Sequence, residues 1–346
     1  SDLNGALSSK KKDAEPKQSP ASLTLSGGHP MSARSHTTTP YQAIVNSADR
    51  EAWLKARLAL GTIGSSESAT IMGANPYESA FTLYCRRQGL LPDKEETRYM
   101  RWGLRLEAAI ADGFQEETGI RTWTADSPEE GCGGWLCRSN KWPWLSATPD
   151  RSMEVPDAEE GILEVKNAAE RFQDSWNEEA PLHYRIQAQH QFAVTDLSAG
   201  AICVLLGGND LRWQRTKRNE RFIRALASAT KDFHERLEFS DPPEPDTHPS
   251  TSSTLTQLTA SGVEIELPDL VLEWHIAAAK ASEDRKAAEE RYEEYRRKIA
   301  AVMGTASVGK LPNGGYYTFR KEPRSGYTVP PKEVRVLRYH KPGKKK

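Results

Sequence analysis

Thr148-Pro149-Asp150, then a short polar insert, then Gly161-Ile162-Leu163-Glu164-Val165-Lys166: from this stretch the rest of the chain can be placed. The order predicts an acidic residue at the end of one strand and a second strand opening on the apolar pair Ile162-Leu163. Side chains alternate along a strand, so Glu164 and Lys166, two apart, share a face. Two carboxylates suit a hard, oxygen-seeking cation such as Mg²⁺. An adjacent ammonium can lower the pKa of an attacking water or neutralise a phosphate oxygen, which is the chemistry of phosphodiester hydrolysis. Alternating Glu and Lys also decorate exposed antiparallel strands for solubility, so the tripeptide alone leaves both readings open.

The 346 residues are enough for one domain of about 200 residues with appendages. No apolar run reaches the length of a membrane span and no apolar signal segment opens the sequence, so the expectation is a cytoplasmic protein. Cys85, Cys132, Cys137 and Cys203 fit neither a disulfide framework nor a paired zinc motif, and are expected as reduced thiols. Formal net charge is −1, so any surface that attracts a polyanion must be local.

Residues 1–45 are expected as an arm without fixed structure, since Ser, Thr, Pro and Lys dominate up to about residue 40. Ser47 is the expected cap of a helix through Arg57, and the Gly61-Thr62-Ile63-Gly64 turn is expected to open another at Ser65. Leu104, Leu106, Ile110 and Phe114 recur at helical spacing over 103–117, a helix that carries Glu107. Tyr184–Val194 reads as a helix bearing Gln187, Ala199–Leu206 as a buried strand, Leu211–Lys217 as a more exposed strand, and Asn219–Leu237 as a closing helix. Residues 239–262, rich in Pro, Ser and Thr, read as a linker. Beyond them, 263–346 is expected to hold a long charged helix over Leu267–Val302, then strands around Tyr316–Lys321 and Val334–Arg338 and a basic end.

Six pieces in order resemble the phage lambda exonuclease and YqaJ-like viral recombinase family. They are Gly61-Thr62-Ile63-Gly64-Ser65-Ser66-Glu67, Gly73-Ala74-Asn75-Pro76-Tyr77, Met100-Arg101-Trp102-Gly103 with Glu107, Ser146-Ala147-Thr148-Pro149-Asp150, Leu163-Glu164-Val165-Lys166, and Tyr184-Arg185-Ile186-Gln187-Ala188-Gln189. The resemblance covers about residues 50–237. It implies an α/β fold with a restriction-endonuclease-like PD-(D/E)xK core and flanking helices, spanning 46–238. It also implies that Glu107, Asp150 and Glu164, with the Val165 carbonyl, ligate Mg²⁺ or Mn²⁺, that Lys166 orients or activates water, and that Gln187 helps to position it. Ser65 and Ser66, with Arg57 nearby, take the place of the family's 5′-phosphate site. Where the family often carries a further acidic residue before the strand-end Asp, this chain has Asn140.

The implied activity is a metal-dependent 5′-to-3′ exonuclease that resects double-stranded DNA ends. The 3′ single strand it leaves would pass to a single-strand annealing protein of the RecT or Bet type, and family members form a homo-oligomeric ring of three subunits. A helicase-coupled nuclease with an iron-sulfur cluster would need cysteines after the core, and none follows Cys203. The alternative is a catalytically inactive nuclease fold that serves as a DNA-binding or scaffold protein. Trp123, Trp135, Trp142 and Trp144 suit core packing better than base stacking.

Overall fold

The computed structural model describes residues 39–156, 158–258, 262 and 264–321. In chain order, β1 (Tyr41–Asn46) leads to α1 (Arg50–Leu60), β2 (Ile63–Gly64), the short α2 (Ser68–Ile71) and α3 (Ala80–Arg87). Next come α4 (Arg98–Thr118), β3 (Thr122–Trp123), β4 (Trp135–Ser139), β5 (Leu145–Ala147), β6 (Arg151–Val155) and β7 (Ala158–Ala168). Then follow α5 (Leu182–Thr195), β8 (Ala199–Leu206), β9 (Asp210–Lys217), α6 (Glu220–Glu238) and α7 (Pro249–Gln257). The last described elements are α8 (Asp269–Met303), β10 (Val308–Lys310) and β11 (Tyr316–Thr318).

The main sheet runs β3-β6-β7-β8-β9, with β7 and β8 parallel and the other neighbours antiparallel. A parallel pair needs a crossover, which α5 supplies. Apolar residues cover both faces of β7, as expected of a strand between two helical layers. Leu163 and Val165 pack with Ile110, Ala111 and Phe114 of α4, whereas Ile162 packs with Ile186 and Phe192 of α5 and with Ile223 and Leu226 of α6. Period-2 alternation therefore turns Glu164 and Lys166 toward α5. Close approach of β7 and β8 demands glycine at 200, where a Cβ would lie 2.2 Å from the Ile162 carbonyl oxygen. Helix α4, hairpin β6–β7, helix α5 and strand β8 make an α/β core with flanking helices, the fold class that the resemblance implied.

A second sheet, β1-β4-β5-β2, lies on the N-terminal side of this motif in sequence. Tyr41–Val45, expected within the unstructured arm, instead pairs together with Asn46 as β1 with β4. Its hydrogen bonds to β4 offset the chain entropy that composition alone leaves uncompensated. Most of the arm and the Val334–Arg338 segment lie outside the described residues. Asp49, not Ser47, caps α1, its carboxylate accepting from Ala52 N at 3.0 Å, while the Ser47 backbone donates to Gly134 O. Trp135, Trp142 and Trp144 pack against the core, and the Trp123 and Trp135 indoles donate to the Glu130 and Ala125 carbonyls.

The supposed linker over 239–262 contains α7. Pro249 stands at its first turn, where proline fits, and Thr251 and Thr254 are buried against α3 through hydroxyl bonds to Ser79 (2.7 Å) and Thr82 (2.9 Å). Composition reads such hydroxyls as solvated, and here they pair with one another.

His190 ties α5 to α2 and to the second sheet. The Ser68 hydroxyl donates to its Nδ1 at 2.5 Å and its Nε2 donates to the Ser146 carbonyl of β5 at 3.0 Å, the assignment that satisfies both atoms of a neutral ring. Burial holds the imidazole at a pKa of about 4, against the 6.5 of a free ring, despite the opposing Ser146 bond. Between those values the unfolded chain binds more protons, so stability is full above about pH 6.5 and falls as pH drops toward 4. The expected loss is on the order of 3 kcal/mol. Urea unfolding from pH 7 to 4 should show this slope in the wild type and a shallower one in His190→Gln; equal slopes would refute the assignment.

Candidate functional site

Asp150 lies in the segment between β5 and β6, where the chain passes from one sheet to the other. The sequence had suggested that Asp150 ends a strand and that the next strand carries Glu164. An additional strand, β6, intervenes, and Asp150 precedes it. Arg151 pairs with Leu163, so β6 begins two residues short of Val165, and the Val165 N–H donates to Asp150 Oδ2 at 2.7 Å instead of to the ladder. Within a strand the N–H and C=O of one residue share an edge, so the Val165 carbonyl belongs to the edge that Asp150 occupies.

Glu164 is 1 % exposed. A buried carboxylate needs donors for both oxygens, and it has them. Lys166 and Gln187 Nε2 donate to Oε1, and Gln191 Nε2 donates to Oε2. Gln187 and Gln191 stand four apart on α5 and thus on one helical face. Lys166 also lies under the Tyr184 ring, 5.2 Å from its centroid. Burial would lower its pKa, but the Glu164 and Asp150 charges and the Glu164 hydrogen bond outweigh that and hold it raised, so it persists as an ammonium.

Glu107 comes from α4, on the opposite face of the sheet, and pairs with Arg151 at 3.7 Å. Burial, partly offset by Arg151, raises its pKa, and Glu164 adds to the rise. Asp150 is held well above the carboxylate range, first by burial and then by Glu164. Glu107, Asp150, Glu164 and Lys166 are therefore close enough to feel one another's charge. Even so, no group of three His, Cys, Asp or Glu side chains among the described residues converges as a ready cation cage. The reason lies in the partners just named: Glu164 is taken by Lys166 and two glutamines, and Glu107 turns to Arg151. The donor chemistry fits a hard divalent cation, with crowded carboxylate oxygens, the Val165 carbonyl edge, and a buried Gln191 Oε1 that has no hydrogen-bond partner.

A cleft of about 160 Å³ adjoins this cluster, lined by Trp53, Arg57, Ser65, Ser66, Thr148 and Gln187 among others. Ser65 is buried and Ser66 exposed. The turn is less open than the sequence suggested. A three-residue 3-10 turn, Ser65–Glu67, replaces the start of a long helix, and the Gly64 N–H is already bound by the Glu67 carboxylate at 2.7 Å. Arg87 in turn bonds Glu67 at 3.2 Å. Of the residues expected at the site, the structure brings Glu107, Asp150, Glu164, Val165, Lys166 and Gln187 together and sets Arg57, Ser65 and Ser66 in the adjoining cleft. Arg151, Gln191 and Tyr184 were not foreseen. Only Gln191 had a usable signal, its place one helical turn after Gln187. All four cysteines are free and buried, and burial raises the Cys132 and Cys137 thiols.

Residues 52–198 match the family described as the YqaJ-like viral recombinase domain. A curated relative, the uncharacterized protein YqaJ of Bacillus subtilis (strain 168), is 26% identical over 188 residues, covering 53% of this chain and 55% of that protein. The chain thus spans about half the length of the curated relative. Among solved structures it is similar to an alkaline exonuclease from Laribacter hongkongensis, with 20% identity, a TM-score of 0.43, 55% of this chain and 94% of that one. A phage-related exonuclease from Haemophilus somnus matches at 14% identity and a TM-score of 0.37, over 52% and 96% of the two chains. The matched segment, residues 52–198, includes every expected site residue. No helix of the described residues is long and apolar enough to cross a membrane.

Because Asp150 is a carboxyl with a raised pKa, its contribution to stability is present at acid pH and lost as pH rises through its folded value. Ionised in that setting it is a strained charge, and a cation would relieve it. Asp150→Asn should raise the melting temperature in chelator by roughly 2–6 °C, and an upward shift expected of the wild type in Mn²⁺ should be absent from the variant. Thermal melts with and without Mn²⁺ test this, and a lower melting temperature in chelator would contradict the electrostatic account.

Proposed function

We propose that the chain is a metal-dependent deoxyribonuclease that resects double-stranded DNA ends in the 5′-to-3′ direction. The observation that carries the reading is the buried Glu164, held by Lys166, Gln187 and Gln191 in the shared field of Asp150 and Glu107. Nothing in DNA binding alone calls for crowded carboxylates beside an ammonium. Bound there by Glu107, Asp150, Glu164 and the Val165 carbonyl, Mg²⁺ or Mn²⁺ would polarise the scissile phosphate and supply hydroxide near neutral pH.

The chain's own groups have separate tasks. Lys166, kept protonated, neutralises a non-bridging phosphate oxygen and does not act as a base. Gln187 and Gln191 fix the rotamer of Glu164, and Gln187 reaches the cleft as well. Arg57, Ser65 and Ser66 offer an anion site for a terminal 5′-phosphate. On α4, Arg98, Arg101 and Arg105 alternate with exposed Tyr99, Met100 and Trp102, a local basic and aromatic face on the helix of Glu107. Such a face serves a polyanion although the net charge is −1. Resection leaves a 3′ single strand, the substrate class of a single-strand annealing protein, and the domain is proposed to act as a homo-oligomer.

A scaffold role is the second reading, favoured by the carboxylates' engagement with protein donors. Both readings are separated by digestion of blunt, 5′-phosphorylated, strand-labelled duplex in Mg²⁺. Mononucleotide release should fall at least about a hundredfold in Glu164→Ala and in Lys166→Ala; unchanged release in both would defeat the proposal. Arg57→Ala should weaken the preference for 5′-phosphorylated over 5′-hydroxyl ends about tenfold or more and leave the slower 5′-hydroxyl reaction unaltered.

A further inference from the structure

None of the 35 residues of α8 is buried, and Trp274, Tyr292 and Tyr295 are each more than half exposed. A 3.5-residue seam runs its whole length: Val271, Trp274, Ala278, Ala281, Arg285, Ala288, then Tyr292, Tyr295, Ile299 and Val302. One charged residue in more than four heptads is the signature of a coiled-coil face, not of a solvated helix. We propose that this seam is an interface with a second copy of the chain, in which two α8 helices pair antiparallel about a two-fold axis between Lys286 and Ala287.

Side-chain size selects the antiparallel register. With Val271 facing Val302 of the second copy, Trp274 meets Ile299, Ala278 meets Tyr295 and Ala281 meets Tyr292, so both tyrosines face alanines and no two aromatic rings share a layer. Arg285 meets Ala288, which leaves room for its stem to run outward to its own Glu289, 3.4 Å away. A parallel pair would set Ala278 on Ala278, Tyr292 on Tyr292 and Arg285 on Arg285.

Flanking charge selects the same orientation. In the antiparallel pair Asp284 lies beside Arg291 of the second copy, twice by symmetry, and no like charges of fixed sign face each other. In a parallel pair Asp284 would face Glu289 and Arg291 would face Arg296, four repulsive contacts. The interface is isologous, as a closed two-fold contact requires, and it doubles whatever assembly the segment 52–198 forms by itself.

The test uses the full chain. Light scattering after size exclusion should show Tyr292→Glu with Tyr295→Glu at half the wild-type mass, and equal masses would overturn the proposal. Asp284→Arg should weaken association roughly tenfold, and adding Arg291→Asp should restore it; strengthening by Asp284→Arg alone would indicate the parallel pair and overturn this one. A spin label at Glu273→Cys should report a separation near 40 Å, from about 27 residues at 1.5 Å each. A separation near 15 Å would also overturn it. Nuclease activity is read in parallel, so failure here is distinct from failure of the active-site proposal.

Discussion

A carboxylate buried to 1 % exposure in the middle of a sheet is the constraint around which the rest is arranged. An uncompensated charge there would cost several kcal/mol, so Glu164 dictates what faces it. Lys166 must share its face of β7, which strand alternation ensures, and two amide donors must come from the overlying helix at a spacing of four. That fixes which face of α5 meets the sheet. The apolar residues of the same helix, Ile186 and Phe192, then pack on β7, β8 and α6, so the polar triad and the core require the same orientation.

Elements with one strong period were legible from sequence. Strand β8 runs over the residues that the apolar run marked, and α6 begins one residue after Asn219, whose side chain caps it at Phe222 N. Helix α4 starts five residues earlier than its apolar stripe, at the Thr97 cap, because its first turns expose Tyr99, Met100 and Trp102 and bury nothing that a periodicity search would register. β1 and α7 were missed for a common reason. Each is short, and each is stabilised by partners far away in sequence: β1 by the β4 ladder, α7 by hydroxyls of α3.

The motif residues of the candidate site were legible, and their neighbours were not. Glu164 and Lys166 announce themselves by spacing, but Arg151 looks like any surface arginine until it is seen against Glu107. The turn at Ser65 shows the converse error. A glycine-rich lead into serines suggested free backbone donors, and the structure assigns the first of them to Glu67, which Arg87 and the nearby Arg57 then balance. As the proposed anion site, the cleft would rely on guanidinium charge more than on a helix dipole.

Helix α5 joins that cleft to the carboxylates. Gln187, His190 and Gln191 lie at spacings of three and four, so one stripe of the helix bonds Glu164 on the main sheet and Ser146 on the other. Gln187 lines the cleft too. The interval between the cleft wall at Gln187 and the Glu164 carboxylate is therefore set by one rigid element. It does not depend on the loops that carry Ser65 and Asp150. Neutral His190 contributes to that rigidity without adding a positive charge that would compete with Lys166 for Glu164. One helix thus presents the cleft wall and the buried carboxylate at a fixed interval, which is what the proposed stepwise action from a DNA terminus would need.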